Sequence, residues 1–224
     1  MAEIRTLPQF QAAMDKELSW RIKEIGAFNV ASRANSDKAK YFTRAGVALL
    51  YAHWEGFIKR SSEIYLEYVS SRNLTYRDLK SCFAVFGLKA KLSLLSESRK
   101  SKTNVDAFDF VLAGLDSVAR INLASAVNTE SNLTSKVFES IASAIDIDTD
   151  PYDTKFNLID EGLVARRNSI AHGEYLSLSG RDFAELVEDV LGLMRAYKTD
   201  LENAVSLESY KRPTEDSANV GAQA

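Results

Sequence analysis

The sequence contains few cysteines and histidines, and each shortage excludes a class of protein. Its 224 residues include a single cysteine, Cys82, and two histidines, His53 and His172. One thiol cannot build a disulfide framework or a cysteine-based zinc module, and two imidazoles are too few for a histidine-rich metal site. A chain of this length buries enough apolar surface to fold without such supports. We therefore expect no cofactor and no metal.

Long apolar runs and an excess of positive charge are also missing. No run approaches the roughly 18 residues that a membrane span requires, and the first five residues lack the basic-then-apolar order of a signal peptide. The 28 Lys and Arg residues stand against 31 Asp and Glu, a net charge of −3. This balance excludes a histone-like nucleic-acid binder. We expect a cytoplasmic protein with no membrane partner.

Signals for strands and tight turns are scarce, whereas helical spacing is common. Prolines occur only at positions 8, 151 and 213, and the hairpin dipeptides Asn-Gly and Asp-Gly are absent. Apolar residues recur at steps of three and four, which is typical of amphipathic helices. The first such stripe follows a predicted cap at Thr6, with Pro8 in the first turn; it comprises Phe10, Met14, Leu18, Ile22, Ile25 and Phe28. The sequence predicts an all-α fold.

The remaining chain divides in the same way. A second helix is predicted over residues 39–70, and it is apolar on more than one face, which is typical of a central helix. Residues 72–150 predict shorter helices, with Thr75 and Asp78 at capping-box spacing. Two further helices are predicted over 154–172 and 179–204. The domain plan is one helical domain over 1–205, with 72–150 as a helical insertion, and a disordered tail over 206–224.

Charge is spread unevenly along the chain. Residues 1–112 carry 18 basic and 12 acidic side chains, and residues 113–224 carry 10 and 19. Most of the positive excess lies in 72–102, and this stretch includes five candidates for contact with an RNA backbone: Lys89, Lys91, Arg99, Lys100 and Lys102. The alternative interpretation is a solvated surface that pairs with the acidic half of the chain.

The segment most informative about chemistry is an R-N-x-x-x-H pattern formed by Arg167, Asn168 and His172 at a predicted helix end. Gly173 is placed to end that helix in a left-handed conformation. These groups suit cleavage of RNA without a metal, because an imidazole can move the 2′-OH or leaving-group proton. An arginine keeps its charge beside the phosphoryl oxygens, and an amide can orient either group.

The same residues also have a purely structural interpretation. His172 would cap the end of its helix, and Arg166 and Arg167 would favour the negative end of the helix dipole. A single Arg-x4-His match does not distinguish the two interpretations.

The wider context of the motif resembles the HEPN superfamily, whose motif is an arginine followed after four to six residues by a histidine. Arg167, Asn168 and His172 match those positions, and residues 44–59 look like the aromatic-acidic helix of bacterial HEPN-like nucleases. Residues 9–24 look like the same branch. The likeness covers most of residues 1–205.

This resemblance implies an antiparallel helical bundle that forms a homodimer, with both motifs facing one cleft. It also implies a metal-independent endoribonuclease that leaves a 2′,3′-cyclic phosphate. Proteins of this kind act in toxin–antitoxin or antiviral defence systems. RNA would be the substrate, and an antitoxin or defence-system protein would be a further partner.

A second group of residues fits the same picture. Arg44, Tyr51 and Glu55 share one face of the second predicted helix. Glu55 would hold Arg167 or His172 in position, or the three would form a buried hydrogen-bonding cluster with no catalytic part. We interpret His53 as structural, Cys82 as a small buried residue, and Trp20 and Trp54 as core residues.

Two other functions remain open at this point. One is a non-catalytic module that binds nucleotides, RNA or a protein, since HEPN-like domains also serve in this way. The other is a metal-dependent nuclease that uses Asp146, Asp148, Asp150 and Asp153. The spacing of these four lacks the glycine and the closing glutamate of a calcium loop.

Overall fold

The computed structural model describes residues 4–121, 129 and 131–213, and this part of the chain is all-α. We number its α-helices in chain order, and their bounds are α1 Leu7–Ser32, α2 Ala39–Ser71, α3 Ser81–Glu97, α4 Ser101–Gly114, α5 Ser135–Ala144, α6 Arg166–Ala171 and α7 Gly180–Ser206. A 3-10 helix at Asp150–Lys155 and a π-helix at Leu158–Ala165 precede α6. The described residues contain no β-strand, only two isolated bridges.

Local sequence fixes where the two outer helices begin. Thr6 caps α1 through a reciprocal pair of bonds with Gln9, and Pro8 lies in the first turn, as predicted. Ser179 caps α7 in the same way with Asp182. Each box satisfies backbone N–H groups that have no partner inside the helix. The expected starts of both helices are confirmed.

Helix α2 is the centre of the bundle, as its apolar middle predicts. It packs against α1 on one side and α7 on another, and α1 also contacts α7. Gly46 permits the α2–α7 contact, because a Cβ there would lie 2.5 Å from the ring of Phe183. In the core, the ring centre of Phe138 lies within 6 Å of three other aromatic ring centres, each at a tilted or edge-on angle: Trp54, Tyr152 and Tyr197.

The region 72–150 contains helices, but not everywhere the pattern predicts. Thr75 and Asp78 do exchange the hydrogen bonds of a capping box, yet a turn follows them and α3 begins only at Ser81. Thr75 instead forms a bridge to Val118. Helices α3 and α4 form a hairpin, and α3 also packs against α5. The two bonds therefore close a turn here rather than start a helix.

Two other sequence expectations need correction. The predicted tail over 206–224 is wrong for residues 206–213, because Ser206 ends α7, Tyr210 is completely buried and Lys211 bridges to Leu79; residues 214–224 lie outside the described part. Trp20 is 45% exposed rather than buried in the core. Trp54 is buried as expected, and Cys82 is half-buried.

Two features that would bear on the function, a membrane span and a metal-binding cluster, are absent from the described residues. No helix among them is long and apolar enough to cross a membrane. No group of three or more His, Cys, Asp or Glu side chains in this part of the chain is arranged to hold a metal ion. Within the acidic run considered for metal binding, Asp146 is instead in an ion pair with Lys80.

Candidate functional site

The motif helix α6 is the last part of one continuous helical run. The sequence predicts a helix over 154–172, and the chain is helical from Asp150 to Ala171, but its hydrogen-bonding pattern changes from a 3-10 helix to a π-helix and then to α6 at Arg166–Ala171. The π-helix buries Leu163 and Val164, and Ile170 packs against the core. Wider π turns are frequent at functional sites because they change which side chains face the protein.

Helix α6 ends in the left-handed turn that its sequence predicts. Gly173 has φ +79, and its N–H donates to the carbonyl of Ile170 at 3.1 Å, while the N–H of Glu174 donates to Ser169 at 2.9 Å. These two bonds form a Schellman motif, which glycine adopts without steric cost. His172 is the C-cap residue. The turn places His172 at the surface, at the point where the helix stops.

Arg167 is held from three directions. Its Nη1 donates to Oδ1 of Asn132 at 2.7 Å and to Oδ1 of Asn168 at 2.8 Å. Its Cζ lies 4.4 Å from the centre of the Tyr51 ring, a distance at which the positive charge is attracted to the ring face. These contacts give the half-buried guanidinium one orientation. Its charge is not neutralised, because no carboxylate is paired with it among the described residues.

Tyr51, whose ring face contacts that guanidinium, is itself held by neighbouring groups. Its hydroxyl accepts a hydrogen bond from the N–H of Leu133 at 2.8 Å, and the Glu55 carboxylate lies close enough to act on it electrostatically. Burial, together with Glu55, raises the pKa of Tyr51, although the Leu133 bond and the charge of Arg167 act the other way. The phenol therefore keeps its proton near neutral pH.

The segment that directly follows Asn132 is held at two points. The N–H of Leu133 donates to the hydroxyl of Tyr51. Two residues further on, the carboxylate of Asp160 accepts hydrogen bonds from the N–H of Ser135 at 2.8 Å and from its hydroxyl at 2.6 Å. Asn132 was missed by sequence reasoning, since nothing in its local pattern relates it to a residue 35 positions away.

The imidazole of His172 is exposed, and it has no hydrogen-bond partner among the residues that the structure describes. It lies five positions after Arg167, at the C-cap of α6, and Ile170 of that helix packs against the core. The position is open to a ligand, as an acid–base group requires.

The other predicted supporting residues have different surroundings. Glu55 lies near Tyr51 and forms no ion pair with Arg167 or His172 in the described part of the chain, so its predicted direct contact with the motif is not observed. Arg44 is half-buried and forms no hydrogen bond or ion pair there, so it does not belong to the bonded group. Arg166, the remaining supporting residue, acts on Asp182 at the start of α7. Hydrogen bonds from Ser179 lower the pKa of Asp182, and the positive charge of Arg166 adds to that effect.

The candidates for backbone contact lie on the α3–α4 hairpin, apart from the bonded group around Arg167. The side chains of Lys89, Arg99, Lys100 and Lys102 are exposed, and the side chain of Lys91 lies outside the described part of the structure. His53, on the opposite side of α2, is buried. Its Nε2 lies 3.0 Å from a carboxylate oxygen of Glu24, out of line for a hydrogen bond.

Fold and site together define a class: an all-α bundle around one long central helix, with an arginine and a histidine on a short helix before the last long one. Comparison with family models gives the particular family. Residues 16–203 match the model described as RiboL-PSP-HEPN, and the chain belongs to this HEPN family. Comparisons with curated proteins and with solved structures found no match.

Proposed function

We propose that this protein is a metal-independent endoribonuclease in which His172 is the general base or acid and Arg167 binds the scissile phosphate. Asn168 positions the phosphate and orients Arg167. The observation that carries the proposal is the fixed Arg167 guanidinium, bonded to Asn132 and Asn168 and lying over Tyr51, on the same short helix as an exposed imidazole. Membership of a HEPN family supports the same conclusion.

The chemistry needs only these groups. The ribose 2′-oxygen loses its proton to a base and attacks the adjacent phosphorus, the bond to the 5′-oxygen breaks, and that oxygen takes up a proton from an acid. The products are a 2′,3′-cyclic phosphate and a 5′-hydroxyl. Negative charge that builds on the phosphoryl oxygens is stabilised by a guanidinium whose orientation is already set.

A homodimer would supply two copies of the acid–base group. Since base and acid act on opposite sides of the phosphorus, one imidazole cannot serve both in the same step, whereas two motifs facing one cleft can. We include in the proposal the backbone contacts of the exposed basic residues, with Arg99, Lys100 and Lys102 grouped where α3 meets α4. Contacts of this kind give affinity without sequence preference.

We assign such an activity to a toxin or antiviral-defence role, because uncontrolled RNA cleavage harms the cell that makes it. A control protein, either an antitoxin or a defence-system component, follows from the same reasoning.

The direct test is RNA cleavage by purified protein in EDTA. Wild type should cut single-stranded RNA and leave 2′,3′-cyclic phosphate ends, and His172→Ala and Arg167→Ala should each lose at least about 100-fold in rate. Glu174→Ala and Arg181→Ala are the controls, since both side chains are exposed; both should cleave at nearly the wild-type rate. All four variants should keep the wild-type circular dichroism spectrum.

The outcomes separate the candidate functions. Cleavage by His172→Ala at the wild-type rate would refute the assignment. RNA binding without cleavage, unchanged by either substitution, would identify a binding module instead, and loss of wild-type cleavage on chelation would indicate a metal-dependent nuclease. In cells, induced wild type should stop growth and the Arg167→Ala/His172→Ala variant should not.

A further inference from the structure

The segment that follows the Gly173 turn carries an aromatic ring into solvent close to His172. Tyr175 lies three positions after His172 and is 86% exposed, the largest exposed fraction of any large apolar or aromatic side chain in the described part of the chain. Its ring and hydroxyl form no hydrogen bond, ring contact or cation–π contact with another described residue. A free aromatic face therefore lies beside the proposed acid–base group.

The backbone on either side of Tyr175 is held in place. Before it, the N–H of Glu174 donates to the carbonyl of Ser169 at 2.9 Å. After it, Gly180 lies against the end of α1, where an added Cβ would be 2.4 Å from the carbonyl oxygen of Ser32. Only a glycine permits so close an approach. The segment between these two contacts is too short to move far from the protein surface.

The side chains of this segment alternate between the protein and solvent. Residues 174–179 have no regular secondary structure. Leu176 and Leu178 are partly buried, and Leu178 packs against the core. Tyr175 and Ser177 are exposed. This alternation is typical of an extended segment, in which successive side chains point to opposite sides. The two leucines that face the protein therefore direct Tyr175 outward.

The ring is close enough to the motif to meet the same nucleotide. Three residues of extended chain span at most about 10 Å, and the turn at Gly173 shortens the path from His172 to Tyr175. A phosphate bound at Arg167 has one nucleoside on each side, and the base of each is one ribose away. Tyrosine faces stack on such bases in proteins that bind single-stranded RNA.

We infer that Tyr175 is a substrate-binding residue that stacks on an unpaired base next to the scissile phosphate. The inference rests on the proposed function and extends it from the phosphate to the nucleotide. A base inside a duplex cannot reach the ring, so the substrate is RNA that is unpaired at the cleavage point. Base identity matters little, because every base has a face on which an aromatic ring can stack.

This contact acts on binding rather than on the chemical step. The base does not react, so stacking is equally strong in the ground state and in the transition state, and its loss raises KM without lowering kcat. Tyr175→Ala should raise KM for a single-stranded oligonucleotide by about 5- to 150-fold, the range for loss of one base–aromatic stack. His172→Ala should instead lower kcat.

Removing the ring and removing the base test the same contact from its two sides. The substrate is an oligonucleotide with a single ribonucleotide, so that one linkage can be cleaved, and two further versions lack the base on its 5′ or its 3′ side. With wild type, one abasic version should raise KM as much as Tyr175→Ala does with the intact oligonucleotide. The two changes combined should have no larger effect than either alone, because they remove one shared contact.

Variants of the same segment complete the test. Tyr175→Phe keeps the ring and should restore the wild-type KM, which separates stacking from any role of the hydroxyl. Ser177→Ala changes the other exposed side chain and should have no effect. If wild type cleaves but Tyr175→Ala has the wild-type KM, or if base removal and Tyr175→Ala have additive effects, the stacking role is wrong and the proposed function stands. If wild type cleaves no RNA, the proposed function is refuted, and this inference with it.

Discussion

Arg167 draws its position from residues far apart in the chain. Tyr51 comes from α2, Asn132 from the segment before α5, and Asn168 from α6 itself. Both hydrogen bonds use Nη1, which leaves the other side of the planar guanidinium for a ligand oxygen. A charge that is oriented before the substrate binds loses little conformational freedom on binding.

Under the proposed function Asn132 is a positioning residue, and its effect should be kinetic. Asn132→Ala removes one of the two acceptors of Arg167 Nη1, and we expect kcat for RNA cleavage to fall about tenfold or more, since small misplacements of catalytic groups have large effects. Affinity for a non-cleavable 2′-O-methyl RNA should change little. Rates and binding should be measured well below the melting temperature.

The exposed Asn157 provides the matched control for Asn132. Asn157→Ala should leave kcat and binding unchanged. If Asn132→Ala had wild-type kcat, or if it lost activity only in proportion to the fraction of unfolded protein, the positioning role would be wrong.

His53 is the buried histidine, and its environment makes folding depend on pH. Burial lowers the pKa of the imidazole from its ordinary value of 6.5, and the charge of Arg21 adds to this, although the nearby Glu24 carboxylate opposes it. In the pH range just below 6.5 the unfolded chain binds a proton that the folded chain does not. The free energy of unfolding must then decrease as the pH falls through that range.

Urea unfolding at a series of pH values tests this sign. Wild type should lose stability from pH 7 towards the folded-state pKa of His53, and His53→Gln should lose less over the same interval. An identical pH dependence in wild type and His53→Gln would contradict the prediction.

Among the elements, the sequence predicts the long helices well, and it predicts the extent of the motif helix but not the π-helical part within it. Helix α1 has an uninterrupted stripe and a proline-containing capping box, and α2 was expected to within one residue at its end. The interval 154–172 also carries a helical pattern, but π-helix and α-helix differ by one residue per hydrogen-bonded turn. Spacing of apolar residues over eight positions does not resolve that difference.

The crossing of α2 and α7 depends on the missing side chain of Gly46. Gly46→Ala would place a Cβ 2.5 Å from the buried ring of Phe183, and we expect a loss of about 1–3 kcal/mol in the free energy of unfolding. Gly192→Ala is the control, since nothing lies within 4 Å of its added Cβ. In that exposed helical position alanine should stabilise by up to about 1 kcal/mol. Urea denaturation measures both; equal effects would argue against the close crossing.

For the whole molecule, the all-α class and the central place of α2 were predictable because they depend on repeated local patterns. Gly173 was predictable for a similar reason, since a glycine after a helical stripe is a local signal. Asn132 and the bond from Tyr51 to Leu133 were not, because they join segments that only tertiary packing brings together. The resemblance to HEPN proteins correctly indicated the family, which the match over residues 16–203 shows.

The C-terminal segment completes the fold, contrary to the expected tail. Tyr210 is fully buried beside Tyr68, and the N–H of Lys80 donates to its carbonyl at 3.0 Å. Tyr210→Ala should lower the free energy of unfolding by about 3–5 kcal/mol, as other buried aromatic truncations do. Tyr175→Ala, at an exposed position, should stay within about 0.5 kcal/mol of wild type. Calorimetry should show this difference, and similar melting temperatures for both variants would disprove the packing.

The separation of the three partners of Arg167 has a consequence for the order of events as the chain is made. Tyr51 and Asn132 leave the ribosome before Arg167, but they adopt the required geometry only after α2 and the segment ahead of α5 have docked. Contacts between such distant positions form slowly compared with local turns. A nascent or partly folded chain thus has a histidine and an arginine but no oriented guanidinium, so the geometry around Arg167 requires tertiary docking as well as synthesis of the motif.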